Sequence, residues 1–116
     1  MATEIERDVI ELRKLESEVG KVETMYQDYV LKKHENDMVI AELGKLADGS
    51  KVYKMIGPAL IPQDINEAKG NVTKRLEFIE KEVTRLGKLK EEFVKRIQEK
   101  QAKVMKAQQD MQRARK

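Results

Sequence analysis

The side chains that most often do covalent or acid–base chemistry are scarce in this chain. His34 is the only histidine and cysteine is absent. A thiolate nucleophile, a disulfide and a His/Cys metal set are therefore out of reach. His34 stands between Lys33 and Glu35, a setting that reads as a solvated helix face. Tyr26 and Tyr29 lie three residues apart, the spacing of neighbours on one helix stripe, and read as packing residues. Gly44, Gly49 and Gly57 are dispersed, so no glycine-rich loop can cradle a phosphate. No nucleophile has a base at a useful spacing. The chain is read as a non-enzyme without metal or cofactor. What its residues can do is bind: apolar and methionine-bearing ends, a basic run near the C-terminus, and a β-branched, aromatic stretch in the middle.

Long helices must carry these groups. Of 116 residues, 39% are charged, 40% hydrophobic and 4% aromatic, with six Gly and two Pro. Such a chain has too few turn residues and too little bulk for a compact sheet protein, and its charge and scarcity of breakers describe extended helices. No apolar run approaches the roughly 20 residues that span a bilayer. Met1 to Val9 alternates charges and lacks the apolar core of a secretory signal. A single soluble, cytoplasmic domain is expected.

Two heptad seams place the helices. In the first, positions a are Ile5, Leu12, Val19, Tyr26, Lys33 and Ile40, and positions d are Asp8, Leu15, Val22, Tyr29, Asn36 and Leu43. Only Asp8, Lys33 and Asn36 interrupt it. Thr3 and Glu6 have capping-box spacing at its start. In the second seam the a set runs Lys69, Leu76, Val83, Lys90, Ile97, Val104, Met111, and the d set Ile65, Val72, Ile79, Leu86, Phe93, Lys100, Ala107, Ala114. Asp64, with Glu67 three residues on, is its expected N-cap. Stripes this narrow belong to coiled coils. A short linker makes the two helices antiparallel neighbours. The expected fold is all-α dominated: helix one over 4–46, a linker over 47–63 and helix two over 64–116, folded as a long antiparallel coiled-coil hairpin.

In an antiparallel pair a faces d, and two registers fit the linker, with partner numbers summing to 105 or to 112. The first stacks Asn36 on Lys69 in one polar layer and is preferred. Lys33, Asn36 and Lys69 are then register-setting layers. Gly70 and Gly87 inside helix two each cost about 1 kcal/mol relative to Ala and put its straightness in question.

The linker is the most informative stretch. Val52-Tyr53-Lys54-Met55-Ile56, then Gly57-Pro58, then Ala59-Leu60-Ile61 predicts a small β-hairpin. An isolated two-stranded hairpin is marginal in water. Val52, Tyr53, Met55, Ile56, Leu60 and Ile61 are accordingly expected to serve assembly. The alternative is a loop that folds back on the helix ends.

Charge is uneven. Residues 1–48 hold 12 acids and 7 bases, and residues 49–116 hold 9 acids and 17 bases. Two helices of opposite sign attract each other when folded together. The other reading of the basic half, nucleic-acid binding, is disfavoured by interspersed Glu91, Glu92 and Glu99 and by the lack of alternating aromatic residues.

The segment Lys51-Val52-Tyr53-Lys54-Met55-Ile56-Gly57-Pro58-Ala59-Leu60-Ile61-Pro62-Gln63 resembles the linker signature of prefoldin β-class subunits. Glu67-Ala68, Lys74-Arg75-Leu76-Glu77-Phe78-Ile79, and Glu35-Asn36 ahead of Val39-Ile40-Ala41-Glu42-Leu43 resemble the helix ends and starts of that family's eukaryotic subunit 6 branch. The resemblance spans nearly the whole chain and implies a heterohexamer in which this subunit joins two α-class and three further β-class subunits. Their hairpins build a double β-barrel from which coiled-coil arms hang. The arm tips hold unfolded proteins such as actin and tubulin and pass them to the cytosolic chaperonin, without nucleotide. A 17-residue linker from Ala47 to Gln63 accommodates the one hairpin of a β-class subunit.

With the 105 register, residues beyond about Val104 overhang helix one. Ile5, Val9, Val104, Met105 and Met111 are then the expected client-binding set, with Met1 and Ile10 beside them. Methionine suits promiscuous apolar contact. Lys103, Lys106, Arg113, Arg115 and Lys116 are expected to steer docking onto an acidic chaperonin surface. A passive coiled-coil adaptor or scaffold subunit is the alternative, and needs neither the hairpin nor exposed tips.

Overall fold

The structure, a computed structural model, describes residues Ala2–Arg115. Helix α1 spans Ala2–Gly44, strand β1 Val52–Ile56, strand β2 Ala59–Gln63 and helix α2 Ile65–Arg115. The all-α-dominated fold with one two-stranded antiparallel hairpin between two long helices is the one expected.

The helix termini follow from local chemistry. The helix already includes Ala2, so Thr3 lies inside its first turn and the expected capping box does not form. At the other end the helix stops at Gly44, ahead of the expected Leu46. The next two residues tighten into i→i−3 bonds, Lys45 N–H donating to Glu42 O at 3.1 Å and Leu46 N–H to Leu43 O at 3.3 Å, which satisfy carbonyls a helix end leaves open. Ser50 N–H then donates to Ala47 O at 3.1 Å, with Gly49 at φ 85°, the type II turn that requires positive φ at its third residue. Asp64 caps α2: its Oδ2 accepts from Asn66 N–H at 3.1 Å and Glu67 N–H at 3.2 Å. Neither Gly70 nor Gly87 breaks α2.

The chain divides into two units. One joins α1 up to Tyr26 with α2 from Arg85 onward, and the other holds Gln27–Thr84. In the second, Leu43, Ala68 and Val72 form a buried cluster with Ile40, Val52 and Leu76 packed against it. Tyr29 meets Phe78 edge-on, ring centres 6.3 Å apart. Position d of α2 is the spine of the core: Ile65, Val72 and Ile79 are buried in this unit, and Leu86 in the other.

The first unit decides the register there. Tyr26 lies against Gly87, where an added Cβ would sit 3.6 Å from Cε2. Lys90 Nζ pairs with Glu23 at 2.5 Å. Asp8 meets Lys100 and Lys103, and Ile5 shares a groove with Ala107. These contacts fit the 112 register, not the preferred 105, in which Tyr26 would face Ile79 and Asp8 would face Ile97. The polar seam residues do not need one another. Asn36 donates to Lys32 O at 2.7 Å and Lys33 pairs with Asp37 at 3.0 Å, both within α1. Acids and bases that reach across the helix pair set the register instead.

Candidate functional sites: the hairpin and the terminal unit

The hairpin follows from its turn. Ile56 pairs with Ala59 across a two-residue loop in which Gly57 has φ 58°. Proline fixes a negative φ at Pro58, and positive-then-negative is the type II′ geometry that matches strand twist. The register continues Met55↔Leu60, Lys54↔Ile61, Tyr53↔Pro62 and Val52↔Gln63. Opposed residues share a face. One face therefore carries Tyr53, Met55, Leu60 and Pro62 and has no charged residue. The other carries Val52, Lys54, Ile56, Ala59, Ile61 and Gln63.

Five of the expected assembly residues are exposed: Tyr53, Met55, Ile56, Leu60 and Ile61, with Met55 at 73% and Leu60 at 63%. Val52 differs. It is half-buried and packs on the Leu43–Ala68–Val72 cluster, so it ties the hairpin to the helices. A second apolar surface escaped the sequence reading. Leu31, Met38 and Val39 are exposed on α1 and Leu46 just beyond its end, and Glu35, Met38, Val39, Glu42, Leu43 and Leu46 line a shallow groove. Its signal was present as apolar residues at helical spacing off the a/d seam.

The terminal unit holds the expected client-binding residues. Met105 is 61% exposed, and Ile5, Val9 and Met111 are half-buried. Ile10, at 65%, is more open than any of them. Val104 corrects the expectation: only 8% of it is accessible. The 112 register slides α2 by one heptad, so Val104 gains a level of α1 to pack on.

The same register commits part of the basic cluster. Asp8, at 6% exposure, accepts from Lys100 Nζ at 3.2 Å and Lys103 Nζ at 3.4 Å. Lys100 also pairs with Glu11 at 2.7 Å. The hydrogen bond from Lys100 holds the Asp8 carboxyl below its ordinary value against the opposing effect of burial, and Lys103 adds to the lowering. Glu11 first, then Asp8, raises the Lys100 ammonium. Lys103, expected as a docking base, reaches Asp8 while its side chain stays 56% exposed. Lys106, Arg113 and Arg115 are exposed. Lys116 and Met1 lie outside the described residues. Asp8 itself was missed as a functional feature, though an acid at position d was its signal. His34 is exposed on α1. Among the described residues no group of three or more His, Asp and Glu could hold a metal ion, and no helix is long and apolar enough to cross a membrane.

Comparison with known proteins accounts for this layout. The family model described as "Prefoldin subunit" matches residues 6–111. Prefoldin subunit 6 of Arabidopsis thaliana is 35% identical over 109 residues, 94% of this chain and 84% of that protein. A probable prefoldin subunit 6 of Caenorhabditis elegans is 39% identical over 107 residues, covering 92% and 85%. The crystal structure of the prefoldin beta subunit from Thermococcus strain KS-1 superposes with a TM-score of 0.83 over 90% of this chain and 91% of that one, at 18% identity. That likeness bears on fold alone, but the family match runs through both helices and the hairpin together. With an exposed two-stranded hairpin set between two heptad-patterned helices, this chain belongs to the prefoldin subunit family.

Proposed function

We propose that this chain is one subunit of a heterohexameric, ATP-independent co-chaperone of the cytoplasm. In this reading it joins two α-class and three further β-class subunits through its hairpin. Its coiled-coil tip holds unfolded proteins, actin and tubulin chains among them, for delivery to the cytosolic chaperonin. The observation that carries the reading is the hairpin. Five of its large apolar side chains stand in water in the single chain, and two strands alone cannot bury them. Each such side chain contributes about 1.5–3 kcal/mol when fully buried. Neighbouring strands from other subunits are the natural cover.

At the tip, Ile5, Val9, Met105 and Met111 are the client-facing set, with Ile10 added and Val104 reassigned as their buried support. Lys106, Arg113 and Arg115 are the docking bases, with Lys116 continuing the run in sequence. A non-native chain exposes scattered apolar groups, so weak patches on several arms bind it by avidity.

The test is suppression of aggregation of a denatured client by the reconstituted hexamer. Val9→Ser, Met105→Ser and Met111→Ser together leave Val104 and Lys103 in place, which truncation after Gln101 would not. The triple variant is expected to assemble normally and suppress aggregation less well. Equal suppression by variant and wild type would leave a passive coiled-coil subunit.

A further inference from the structure

The phase of the hairpin's ladder makes its two outer edges unequal. A two-residue turn closes on a hydrogen-bonded pair, so Ile56 and Ala59 exchange both backbone bonds. Pairs then alternate. Lys54↔Ile61 and Val52↔Gln63 are bonded inward, while Met55↔Leu60 and Tyr53↔Pro62 are not. The backbone groups of Tyr53 and Met55 therefore point away from β2, and those of Leu60 and Pro62 away from β1. Pro62 has no N–H to offer. Its position costs the hairpin nothing internally, because the missing donor is an outward one. It does remove a donor from the outer edge of β2 and puts a ring where a partner carbonyl would approach. Along β1 the outward set is whole: Tyr53 and Met55 each present an N–H and a C=O.

From this we infer that β1 carries the principal strand-pairing edge of the subunit. Its occupant is an extended strand from another subunit of the complex. That strand has apolar residues at alternate positions, to continue the face of Tyr53, Met55, Leu60 and Pro62, and no proline opposite Tyr53 or Met55. The outer edge of β2 makes a shorter contact at Leu60, next to the turn. The inference rests on the reading of the hairpin as the assembly element and adds to it which edge bears the ladder.

Hydrogen exchange resolved to single amides, on the free chain and on the full complex, reads the edge directly. In the free chain the Lys54 and Ile56 amides are protected, and those of Tyr53 and Met55 exchange freely. On assembly the Tyr53 and Met55 amides are expected to slow by at least about a hundredfold. Fast exchange at both in the assembled complex would overturn the inference. Substitution gives a second readout. Met55→Pro removes one outward donor of β1, as Pro62 does for β2, and leaves the inward bonds alone. Met55→Ala controls for the side chain. In native mass spectrometry of complexes co-expressed with the other subunits, Met55→Pro is expected to lower incorporation about tenfold or more below Met55→Ala, the effect of stranding a partner carbonyl. Leu60→Pro is expected to fall less far below Leu60→Ala. Equal losses at the two edges, or a larger loss at Leu60, would refute the asymmetry. Circular dichroism of each free variant identifies one that has lost its helices, and the amide exchange of the wild type decides the matter if Met55→Pro is such a variant. If Tyr53, Met55 and Ile56 can all be replaced by Ser without loss of incorporation, the assembly reading itself fails. If that variant is expelled while Met55→Pro is retained, only the edge assignment fails.

Discussion

Asp8 sits where a coiled coil normally holds an apolar residue, and its surroundings explain why it is tolerated. A buried carboxylate without partners would be expelled or neutralised. Here two ammonium groups from α2 reach it, and Glu11 holds the nearer one from the other side. The pH consequence has a definite sign. The Asp8 carboxyl is lowered from 3.8, so its contribution to stability is present above that value and lost as pH falls through the folded pKa. The Lys100 ammonium is raised from 10.5, so its contribution is present below that value and lost as pH rises through the folded pKa. Thermal unfolding followed by circular dichroism across pH should show that Asp8→Asn removes part of the acid-side loss seen in the wild type. The alkaline limb should persist through Glu11. Identical acid limbs would mean that Asp8 does not couple to folding. Leu86 and Gly87 supply a contrast one residue apart. Leu86 is 1% exposed, and Leu86→Ala is expected to cost about 2–5 kcal/mol in chemical denaturation. At Gly87 an added methyl makes only ordinary contact with Tyr26, so Gly87→Ala is expected to stabilise by about 0.5–1 kcal/mol.

Among the elements, the hairpin divides its residues by task. Val52 belongs to the subunit's own core cluster, whereas Met55 and Leu60 face solvent. Val52→Ser is therefore expected to lower the stability of the free chain by about 1–2 kcal/mol through lost burial and an added hydroxyl. Met55→Ser with Leu60→Ser should change free-chain stability by no more than about 0.5 kcal/mol per site yet weaken co-elution with partner subunits. If both sets move stability alike, the division is wrong. The hairpin was legible in the sequence because its information is local. Gly57 supplies positive φ, Pro58 supplies the fixed negative φ, and β-branched and aromatic residues flank them. The α2 cap was legible for the same reason, since Asp64 needs only its own next residues. The end of α1 was less so. Lys45 and Leu46 keep helix-like bonds of the tighter kind, and the heptad pattern does not distinguish the two. Exposed Met38 on α1 and Leu46 just past its end were passed over because the reading followed the seam alone.

For the molecule as a whole, charge and register are linked. The excess of base in the second half is partly consumed across the helix pair, by Glu23 on Lys90 and by Asp8 and Glu11 on Lys100 and Lys103. The bases left to solvent among the described residues of the C-terminal stretch are fewer than the sequence suggested. Reversing Lys106, Arg113 and Arg115 to Glu is expected to weaken association of the assembled complex with chaperonin. The wild-type affinity should itself fall as salt rises and the Debye length shortens from about 10 Å at 0.1 M. Surface-binding measurements at low and high salt check both, and an affinity indifferent to salt would remove these bases from docking.

The sequence alone determined that two long helices flank a short interruption and that a hairpin turns at Gly57-Pro58, and its resemblance to a known linker signature pointed to the family to which the chain belongs. The helices and the turn rest on local chemistry or on a stripe read along one helix. It could not determine the register, because a heptad stripe is unchanged by a shift of one heptad and both alignments put most apolar residues on apolar ones. The choice is made by contacts between residues far apart in the chain: the reach of Lys100 and Lys103 to Asp8, of Lys90 to Glu23, and the fit of Tyr26 on Gly87. That choice buries Val104, occupies Lys103 and leaves Met105 and Ile10 in water. The outer edges of the hairpin belong to the same category, since which amides point outward follows only once two strands have paired.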